Sequence, residues 1–400
     1  MSERLGMRNK RNAAIAGIVS LVVMTICLWL IVRNIGDPAM PLNTLAPAGR
    51  QNWEIFNLVK PVFFIAGLVF LAVEAGVIWM AVRFKRNKED VDGVDEPTQT
   101  HGNTTLEIGW TLVPALVLAI LAVFNVKTVL EIEKSEDPME VRVIGQQWWW
   151  EYRYDLDSDG TVDIITATQV VVPVGKDVKM KLQSNDVIHS FWIPAINGKL
   201  DAVPGRTHTL VMTADKPGIY QGQCTEFCGL SHGVMRMELK ALPQAEFDKW
   251  VDAMTSVPDQ PTDPKAIAGQ ELFVSQCARC HQVDGLTPES SPPFKYSKVP
   301  DPEYGETVDS TLTAKNAPNL THLMMRQTFA GSLLPLYQGK AAESVTAIPD
   351  GVPDRSNLKD WLRDPEAIKP MNSENNQGMP NLQLSETQID QLVAYLVTLK

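Results

Sequence analysis

The chain has 400 residues, which is too long for one ordinary domain, so two or three structural units are expected. Its formal net charge of -11 is unevenly distributed: residues 1–130 carry 12 basic and 10 acidic side chains, whereas residues 131–400 carry 24 basic and 37 acidic ones. The acidic charge of residues 131–400 argues against nucleic acid as a partner and favours basic soluble partners.

Three long apolar segments lie near the N-terminus, at residues 13–32, 61–82 and 108–126. Each is long enough to cross about 30 Å of hydrocarbon as a helix, which predicts a multi-pass protein of the lipid bilayer. Basic residues precede the first segment and follow the second, so both clusters are expected in the cytoplasm and residues 127–400 on the outer face. The first segment (domain 1–36) is an uncleaved anchor or a cleaved signal peptide, and the absence of a small-residue cleavage site favours the anchor. Residues 37–130 form the predicted transmembrane hairpin.

Residues 131–256 have the pattern of an all-β domain. Residues 141–144, 169–174, 178–182, 207–213 and 234–239 are rich in β-branched or alternating apolar side chains, and turn signals separate them. The pattern predicts a sandwich or barrel similar to cupredoxins.

One loop of this domain concentrates soft metal ligands. It contains Cys224, Cys228, His232 and Met235, and His189 ends a predicted strand elsewhere. Thiolate, imidazole and thioether together suit copper, and two thiolates four residues apart can each bridge two metal ions. The alternatives are a disulfide with an incidental His and Met, and a zinc site, although Met is a poor zinc ligand.

Three motifs in this domain resemble subunit II of the haem-copper cytochrome c oxidases: Asp-Val-Ile-His-Ser-Phe at 186–191, Asp-Ala-Val-Pro-Gly-Arg at 201–206, and the loop at 222–235. The resemblance implies a binuclear copper centre with two copper ions. Its ligands would be His189, Cys224, the backbone carbonyl of Glu226, Cys228, His232 and Met235. It also implies that the Glu226 side chain helps to hold a magnesium ion shared with subunit I.

The resemblance gives roles to two further residues. Residues 147–152 are dense in aromatic side chains, which could simply fill a strand core, but the family's electron-accepting tryptophan corresponds to Trp148. Glu107 begins a Glu-x-x-Trp-Thr-x-x-Pro pattern at the start of the third apolar segment. This carboxylate could be a favourable charge at a helix N-terminus, whereas the family places it at the mouth of a proton-uptake path, which we favour.

Residues 257–400 carry a haem-attachment signature after a stiff Pro-rich linker at 258–264. Cys277-Ala-Arg-Cys280-His281 is the C-x-x-C-H motif, in which the thiols bind the porphyrin covalently and the histidine binds the iron of haem c. A helical pattern at 267–276 precedes it, and a capped helix at 385–399 ends the chain. The pattern predicts an all-α domain that resembles class I cytochromes c.

The sixth iron ligand is expected to be Met379, because a Pro and the final helix follow it as in those cytochromes. Met371 is the alternative, Met324 and Met325 are expected in the core, and His322 is expected to be structural rather than a second histidine ligand. Residues 284–316 and 334–356 are rich in Pro, Gly and polar residues, which predicts surface insertions.

The whole pattern resembles subunit II of a caa-type oxidase, a multidomain protein of transmembrane helices, a cupredoxin-like domain and a cytochrome c domain. The implied activity is that of a proton-pumping oxidase, which takes electrons from an external cytochrome c and passes them to haem in subunit I, where dioxygen is reduced to water. The implied partners are subunit I and other oxidase subunits, in a bacterial cell membrane. The alternatives are the electron-input subunit of a copper-containing nitric oxide reductase and a membrane-anchored electron carrier.

Overall fold

The computed structural model describes residues 40–84, 101–284, 286, 317–372 and 377–400, with a few isolated positions between 22 and 37. The chain divides into two compact units, residues 1–40 with 54–131 and residues 41–53 with 132–400, which are described separately. Apart from the isolated positions, the predicted first span lies outside the described residues. Its assignment as an anchor therefore stays a prediction.

Two long helices contain the other two predicted spans. Helix α1 (Arg50–Arg83) has 34 residues and helix α2 (Thr104–Ile132) has 29. Both are long and apolar enough to cross a membrane. Their apolar side chains are exposed, as in Phe63 and Val123, which are 71% and 69% accessible. Such surfaces are stable when lipid covers them, so the two predicted spans are confirmed as membrane-spanning candidates.

The β-domain, residues 139–254, is built from ten strands and one helix. Five strands form a sheet in the order β3-β2-β1-β5-β8, three form a second sheet in the order β4-β10-β9, and β6 pairs with β7. The strands are β1 (Met139–Gln146), β2 (Trp149–Tyr154), β3 (Ile164–Ala167), β4 (Gln169–Pro173), β5 (Val178–Ser184), β6 (His189–Phe191), β7 (Leu200–Ala202), β8 (His208–Met212), β9 (Gly218–Gln223) and β10 (Arg236–Leu242), and helix α3 is Gln244–Met254.

The core of the β-domain follows from the period of two in its strands. In β5, Val178, Met180 and Leu182 are fully buried, whereas the intervening lysines are partly exposed. Trp150 and Tyr152 of β2 are also fully buried in this cluster. The predicted all-β domain is therefore confirmed. The aromatic density of β2 reflects core packing at these two positions.

The C-terminal domain, residues 264–400, is mainly helical in its described part. Its helices are α4 (Pro264–Gln276), α5 (Arg355–Arg363), α6 (Pro365–Ile368) and α7 (Glu386–Leu396), and a short hairpin joins β11 (Thr328–Phe329) to β12 (Leu334–Pro335). Asp263 caps α4, and Ser385 caps α7 in a capping box with Gln388. Both predicted helices are confirmed.

Helices α4 and α7 form the main packing contact of this domain, and Gly269 permits it. A Cβ atom at Gly269 would lie only 2.0 Å from the carbonyl oxygen of Gln391 in α7. Phe273 of α4 then stacks on Tyr395 of α7 with ring centroids 5.5 Å apart. The close crossing is possible because this position lacks a side chain.

The prediction of a surface insertion at residues 334–356 is confirmed for much of the segment, such as the exposed residues 338–340, but is wrong at several positions. Leu336 and Tyr337 are fully buried in the core of the C-terminal domain, and Ala347 is buried against the core of the β-domain. The Tyr337 hydroxyl donates to the carbonyl of Met324 at 2.5 Å. The Pro- and Gly-rich composition here indicates irregular backbone, which is exposed at some positions and buried at others. Most of the other segment, 284–316, lies outside the described residues.

Candidate metal centre and haem site

The predicted copper ligands converge at one end of the β-domain. The Sγ atoms of Cys224 and Cys228 are 3.9 Å apart. His189 Nδ1 lies 4.0 Å from Cys224 Sγ, and His232 Nδ1 lies 3.6 Å from Cys228 Sγ. Met235 Sδ is 3.7 Å from Cys228 Sγ. Each thiol thus has one imidazole beside it, and the thioether lies on the Cys228 side.

Glu226 contributes two different groups. Its backbone carbonyl accepts from the thiol of Cys224 at 3.4 Å, whereas its side chain is exposed. The carbonyl is therefore placed among the candidate copper ligands, and the carboxylate is directed away from the buried thiols.

The donor set fits copper better than its alternatives. Both cysteines are free, and a sulfur separation of 3.9 Å is far beyond a disulfide bond. Two thiols, two imidazoles, a thioether and a carbonyl are more donors than the four that a tetrahedral zinc site uses. The sulfur and nitrogen donors suit copper.

Local electrostatics favour the thiolate at Cys224 and oppose it at Cys228, because the neighbouring Cys224 thiol and burial raise the pKa of Cys228 well above its usual range. The Cys228 thiol beside Cys224 and then the His189 ring hold the pKa of Cys224 well below its usual range, despite burial. Burial lowers the pKa of His189, but hydrogen bonds to Asp186 and Cys224 outweigh it, so the net shift is upward. A bound metal ion would displace the imidazole proton and take the thiolate as its ligand.

The three-stranded sheet holds the ligand loop at both ends. The loop connects β9 to β10, which are antiparallel neighbours, and the Cys224 N–H donates to the Met235 carbonyl at 3.0 Å. His189 begins β6, and its Nε2 lies 2.7 Å from the Asp186 carboxylate. This carboxylate fixes the ring so that Nδ1 faces the thiols, as carboxylates commonly do for metal-binding histidines.

Trp148 lies in direct contact with this loop. Its indole Nε1 donates to the Cys228 carbonyl at 2.9 Å, and the Gln147 side chain donates to the same oxygen at 2.7 Å. Trp148 is only 3% exposed and belongs to the core of the β-domain, and the C-terminal domain contacts its backbone. Lys369 of that domain donates its amino group to the Trp148 carbonyl at 2.5 Å.

The haem-attachment motif follows directly on helix α4. The Cys277 N–H donates to Phe273 and the His281 N–H donates to Cys277, both at 2.8 Å, so the motif continues the helix as a turn. His281 Nδ1 lies 2.9 Å from the Pro318 carbonyl, which accepts a hydrogen bond from Nδ1–H and so leaves Nε2 for iron. Burial lowers the pKa of His281, which favours the neutral ring that a metal requires.

The two candidate methionines have different surroundings. Met379 packs against the core of the C-terminal domain, where Cys277 also lies. Met371 packs against the core of the β-domain, and its sulfur accepts the Met379 N–H at 2.9 Å. These positions favour Met379 as the axial ligand. Met324 and Met325 are buried core residues, as predicted, and His322 is buried beside them.

Glu107 lies in the other compact unit, in the first turn of α2. Its side chain is exposed, and its backbone carbonyl accepts from the Thr111 hydroxyl at 2.8 Å. Both the helix-start and the proton-path interpretations fit this position.

Sequence reasoning did not assign roles to Asp186, Pro318 or Lys369. Asp186 stands three residues before His189, a spacing that could have indicated a partner for the ring. The other two act through contacts between distant segments, for which the sequence contains no local signal.

A copper-ligand loop on a β-sandwich, joined in one chain to a C-x-x-C-H domain and to two apolar helices, defines a membrane-anchored electron-transfer protein. Three family models match the chain: the periplasmic domain of cytochrome c oxidase subunit II at residues 155–242, its transmembrane domain at 39–128, and cytochrome c at 266–400.

Cytochrome c oxidase subunit 2 of Alkalihalophilus pseudofirmus is 33% identical over 90% of this chain and 91% of its own length. The corresponding protein of Bacillus sp. strain PS3 is 31% identical over 93% and 94%. A crystal structure of the periplasmic domain of subunit II from Bradyrhizobium japonicum is 30% identical, with a TM-score of 0.28, over 31% of this chain and 96% of that one. The chain belongs to the cytochrome c oxidase subunit II family.

Membership of this family establishes the general function. The chain is the electron-input subunit of a terminal oxidase, a membrane protein that carries haem c and copper and associates with other oxidase subunits. Among the interpretations left open by the sequence, the relatives favour an oxidase over a nitric oxide reductase or a free carrier.

Proposed function

We propose that the chain receives electrons from an external cytochrome c at its C-terminal domain and delivers them through the β-domain to haem in subunit I of a proton-pumping oxidase. When bound, haem c and the copper pair supply one-electron oxidation and reduction. The observation that carries the proposal is the contact between the two domains: Lys369 donates to Trp148, and Trp148 donates to the carbonyl of Cys228.

Two copper ions are proposed for the ligand loop, and one haem for the C-terminal domain. Two thiols with an imidazole beside each support the first assignment. The haem would be bound through Cys277 and Cys280, with His281 and Met379 as axial ligands. We expect two copper ions and one covalent haem per chain by metal analysis and haem staining after denaturation, and a mixed-valence copper signal on half reduction. One copper ion per chain, or zinc, would refute the binuclear site.

The surface beside the ligand loop supports contact with subunit I. Four apolar side chains flank the candidate ligands and are exposed: Val187, Ile188, Phe227 and Leu230. Single exposed apolar residues are common, but a group of them around a metal loop indicates a protein interface. Glu226 is exposed in the same loop, which supports a magnesium ion shared with that subunit. In the assembled oxidase, Glu226→Gln should lose bound manganese, the spectroscopic substitute for magnesium, and retain its copper.

Glu107 is proposed to admit protons at the cytoplasmic end of α2. Its exposed carboxylate in the first turn of the helix supports this position. Glu107→Ala should slow turnover of the assembled oxidase, while the C-terminal domain still reduces the β-domain at the normal rate. Unchanged turnover would leave only the favourable interaction of a carboxylate with the helix N-terminus.

The proposed orientation places the β-domain and the C-terminal domain (131–256 and 257–400) on the outer face of the cell membrane. The basic residues at 83–88, which follow the second apolar segment, support it. In sealed inside-out vesicles, added protease should leave residues 139–400 intact. In right-side-out vesicles it should cleave them.

A further inference from the structure

The β-domain and the C-terminal domain are joined by specific polar contacts as well as by the linker. Arg326 Nε donates to the Thr166 hydroxyl at 3.2 Å, and the Thr328 hydroxyl donates to Glu238 at 2.9 Å. The Ala347 N–H donates to the Glu246 carboxylate at 2.9 Å. These bonds lie along the β2–β3, β10 and α3 part of the interface and fix the relative position of the two domains.

Lys369 occupies the part of this interface nearest to the ligand loop. It is 4% exposed, and its amino group lies 2.5 Å from the Trp148 carbonyl and 3.4 Å from that of Ala330. Burial lowers its pKa to about 7, and the amino group donates hydrogen bonds in either protonation state. Burying a lysine amino group costs free energy unless the group is hydrogen-bonded. The two carbonyls provide those hydrogen bonds at this place in the interface.

Neighbouring backbone is shaped around this amino group. Ala330, Gly331 and Ser332 are three consecutive residues with positive φ, a tight turn between β11 and β12. A Cβ atom at Gly331 would lie 2.7 Å from the Lys369 amino nitrogen and 3.1 Å from the Val234 carbonyl. The turn therefore places the C-terminal domain directly against the ligand loop, with room for the lysine and little else.

Bonds on either side of Lys369 continue the junction. The Ser231 hydroxyl, inside the ligand loop, donates to the Pro370 carbonyl, and the Gln377 side chain donates to that of Gln147 at 2.9 Å. Trp148, which receives the lysine, itself donates to Cys228. The bonds of Lys369, Pro370 and Gln377 thus join the C-terminal domain to the ligand loop or to the residue pair 147–148 that supports it.

We propose that Lys369 is a positioning residue, whose buried amino group holds the Trp148 carbonyl and so seats the C-terminal domain on the ligand loop at a fixed distance. The inference rests on the proposed function, which requires close approach of the two redox groups. Its role is in the junction and not in the folding of either domain. Rapid transfer between the domains then depends on a rigid contact and not on chance encounters along the linker.

The test compares three variants in the assembled oxidase. Lys369→Met keeps an unbranched side chain of nearly the same length and removes the donor, and Lys369→Arg keeps a donor. Lys359→Met is the matched control, because Lys359 pairs with Asp390 within the C-terminal domain. Amide hydrogen exchange of residues 145–150 and 228–235 reports the junction, and exchange of α4 and α7 reports the domain itself. Haem-to-copper transfer after flash reduction reports the functional consequence.

We expect Lys369→Met to increase exchange at the junction by about tenfold, as for loss of a buried hydrogen bond to a charged group, and to slow transfer. Exchange of α4 and α7, the copper content and the haem content should not change. Lys369→Arg should restore part of the protection, and Lys359→Met should match the unsubstituted chain. Wild-type exchange in Lys369→Met, or equal loosening of α4 and α7, would overturn the inference.

A second pair of variants covers the case in which Lys369→Met does not assemble. Gly331→Ala and Gly339→Ala both place a side chain at positive φ, but a Cβ at Gly339 meets nothing within 4 Å. Only Gly331→Ala should increase exchange at residues 145–150 and slow transfer. Equal behaviour of the two variants would count against the junction. The absence of copper or haem from the unsubstituted chain would instead refute the proposed function. The exchange measurements would then still report whether Lys369 holds the junction between the two domains.

Discussion

The two redox sites of this chain are built in different ways. In the β-domain, most candidate ligands lie in one twelve-residue loop whose ends are paired strands, and a single further ligand comes from β6. In the C-terminal domain, the groups that would hold and orient the haem come from three distant segments, at 277–281, 318 and 379. The first site depends on local backbone geometry, whereas the second depends on the packing of the whole domain. Substitutions should therefore have local effects in one and global effects in the other.

The largest expected effect is local. Cys228→Ser removes a thiolate that both metal ions would share, so the binuclear copper spectrum and essentially all turnover should be lost. The β-domain should still fold, because the loop ends remain paired in β9 and β10. Metal analysis, turnover and thermal unfolding provide the measurements. Cys27→Ser, at a cysteine outside the loop, is the control, and a Cys228→Ser variant that retained two copper ions would contradict the assignment.

The next prediction distinguishes the two candidate axial ligands, Met379 and Met371. Met379→Ala should abolish the low-spin signature of methionine-ligated haem and lower the reduction potential, since thioether ligation raises it. Met371→Ala should keep that spectrum, because Met371 packs on the β-domain. Absorption spectra and redox titration of the two variants decide between them. The reverse result would make Met371 the ligand.

The contact between helices α4 and α7 at Gly269 tests whether the haem site depends on the packing of the whole C-terminal domain. Replacing an ordinary helical Gly by Ala stabilises a protein by up to about 1 kcal/mol. At Gly269 the added methyl group would meet the Gln391 backbone, so we expect destabilisation of about 1–3 kcal/mol instead. Thermal unfolding should show a lower transition for the C-terminal domain and an unchanged copper site. Ser275→Ala in the same helix is the control, and a stabilised Gly269→Ala variant would show that the helices can separate without cost.

The smallest effect is expected for the dependence of transfer between the two domains on ionic strength. Reduction of the chain by a basic cytochrome c is bimolecular and should slow steeply as salt is added. Transfer between the two docked domains should change by less than about twofold, because buried contacts are screened little. Stopped-flow and flash-reduction measurements over the same salt series separate the steps. A strongly salt-sensitive internal step would indicate that the domains undock in each cycle.

The sequence was most informative where the functional residues lie close together along the chain. The ligand loop and the C-x-x-C-H motif could be identified because several rare residue types occur within a few positions. Helix α7 was predictable from its capping box at Ser385 and its apolar period. Strands β3, β7 and β9 were not predicted, because β3 and β7 have only four and three residues and β9 contains two glycines.

Contacts between distant segments could not be predicted. Lys369 and Trp148 are 221 residues apart, and a lysine in a polar sequence has the appearance of a surface residue. Residues 334–356 were misjudged in part for the same reason: their composition is that of loops, but Tyr337 and Ala347 are buried by partners that only the tertiary structure brings to them. Composition reports local preference, and burial depends on the rest of the chain.

The C-terminal domain already contacts Trp148 and the ligand loop, so it competes with any soluble carrier for that surface. A short tether gives the domain an effective concentration on the order of millimolar, so a soluble carrier present at micromolar levels would seldom displace it. Carriers that differ in shape can then serve the same oxidase, because only the outer surface of the C-terminal domain has to recognise them. The residues that contact Trp148 and the residues that recognise the donor can therefore evolve independently.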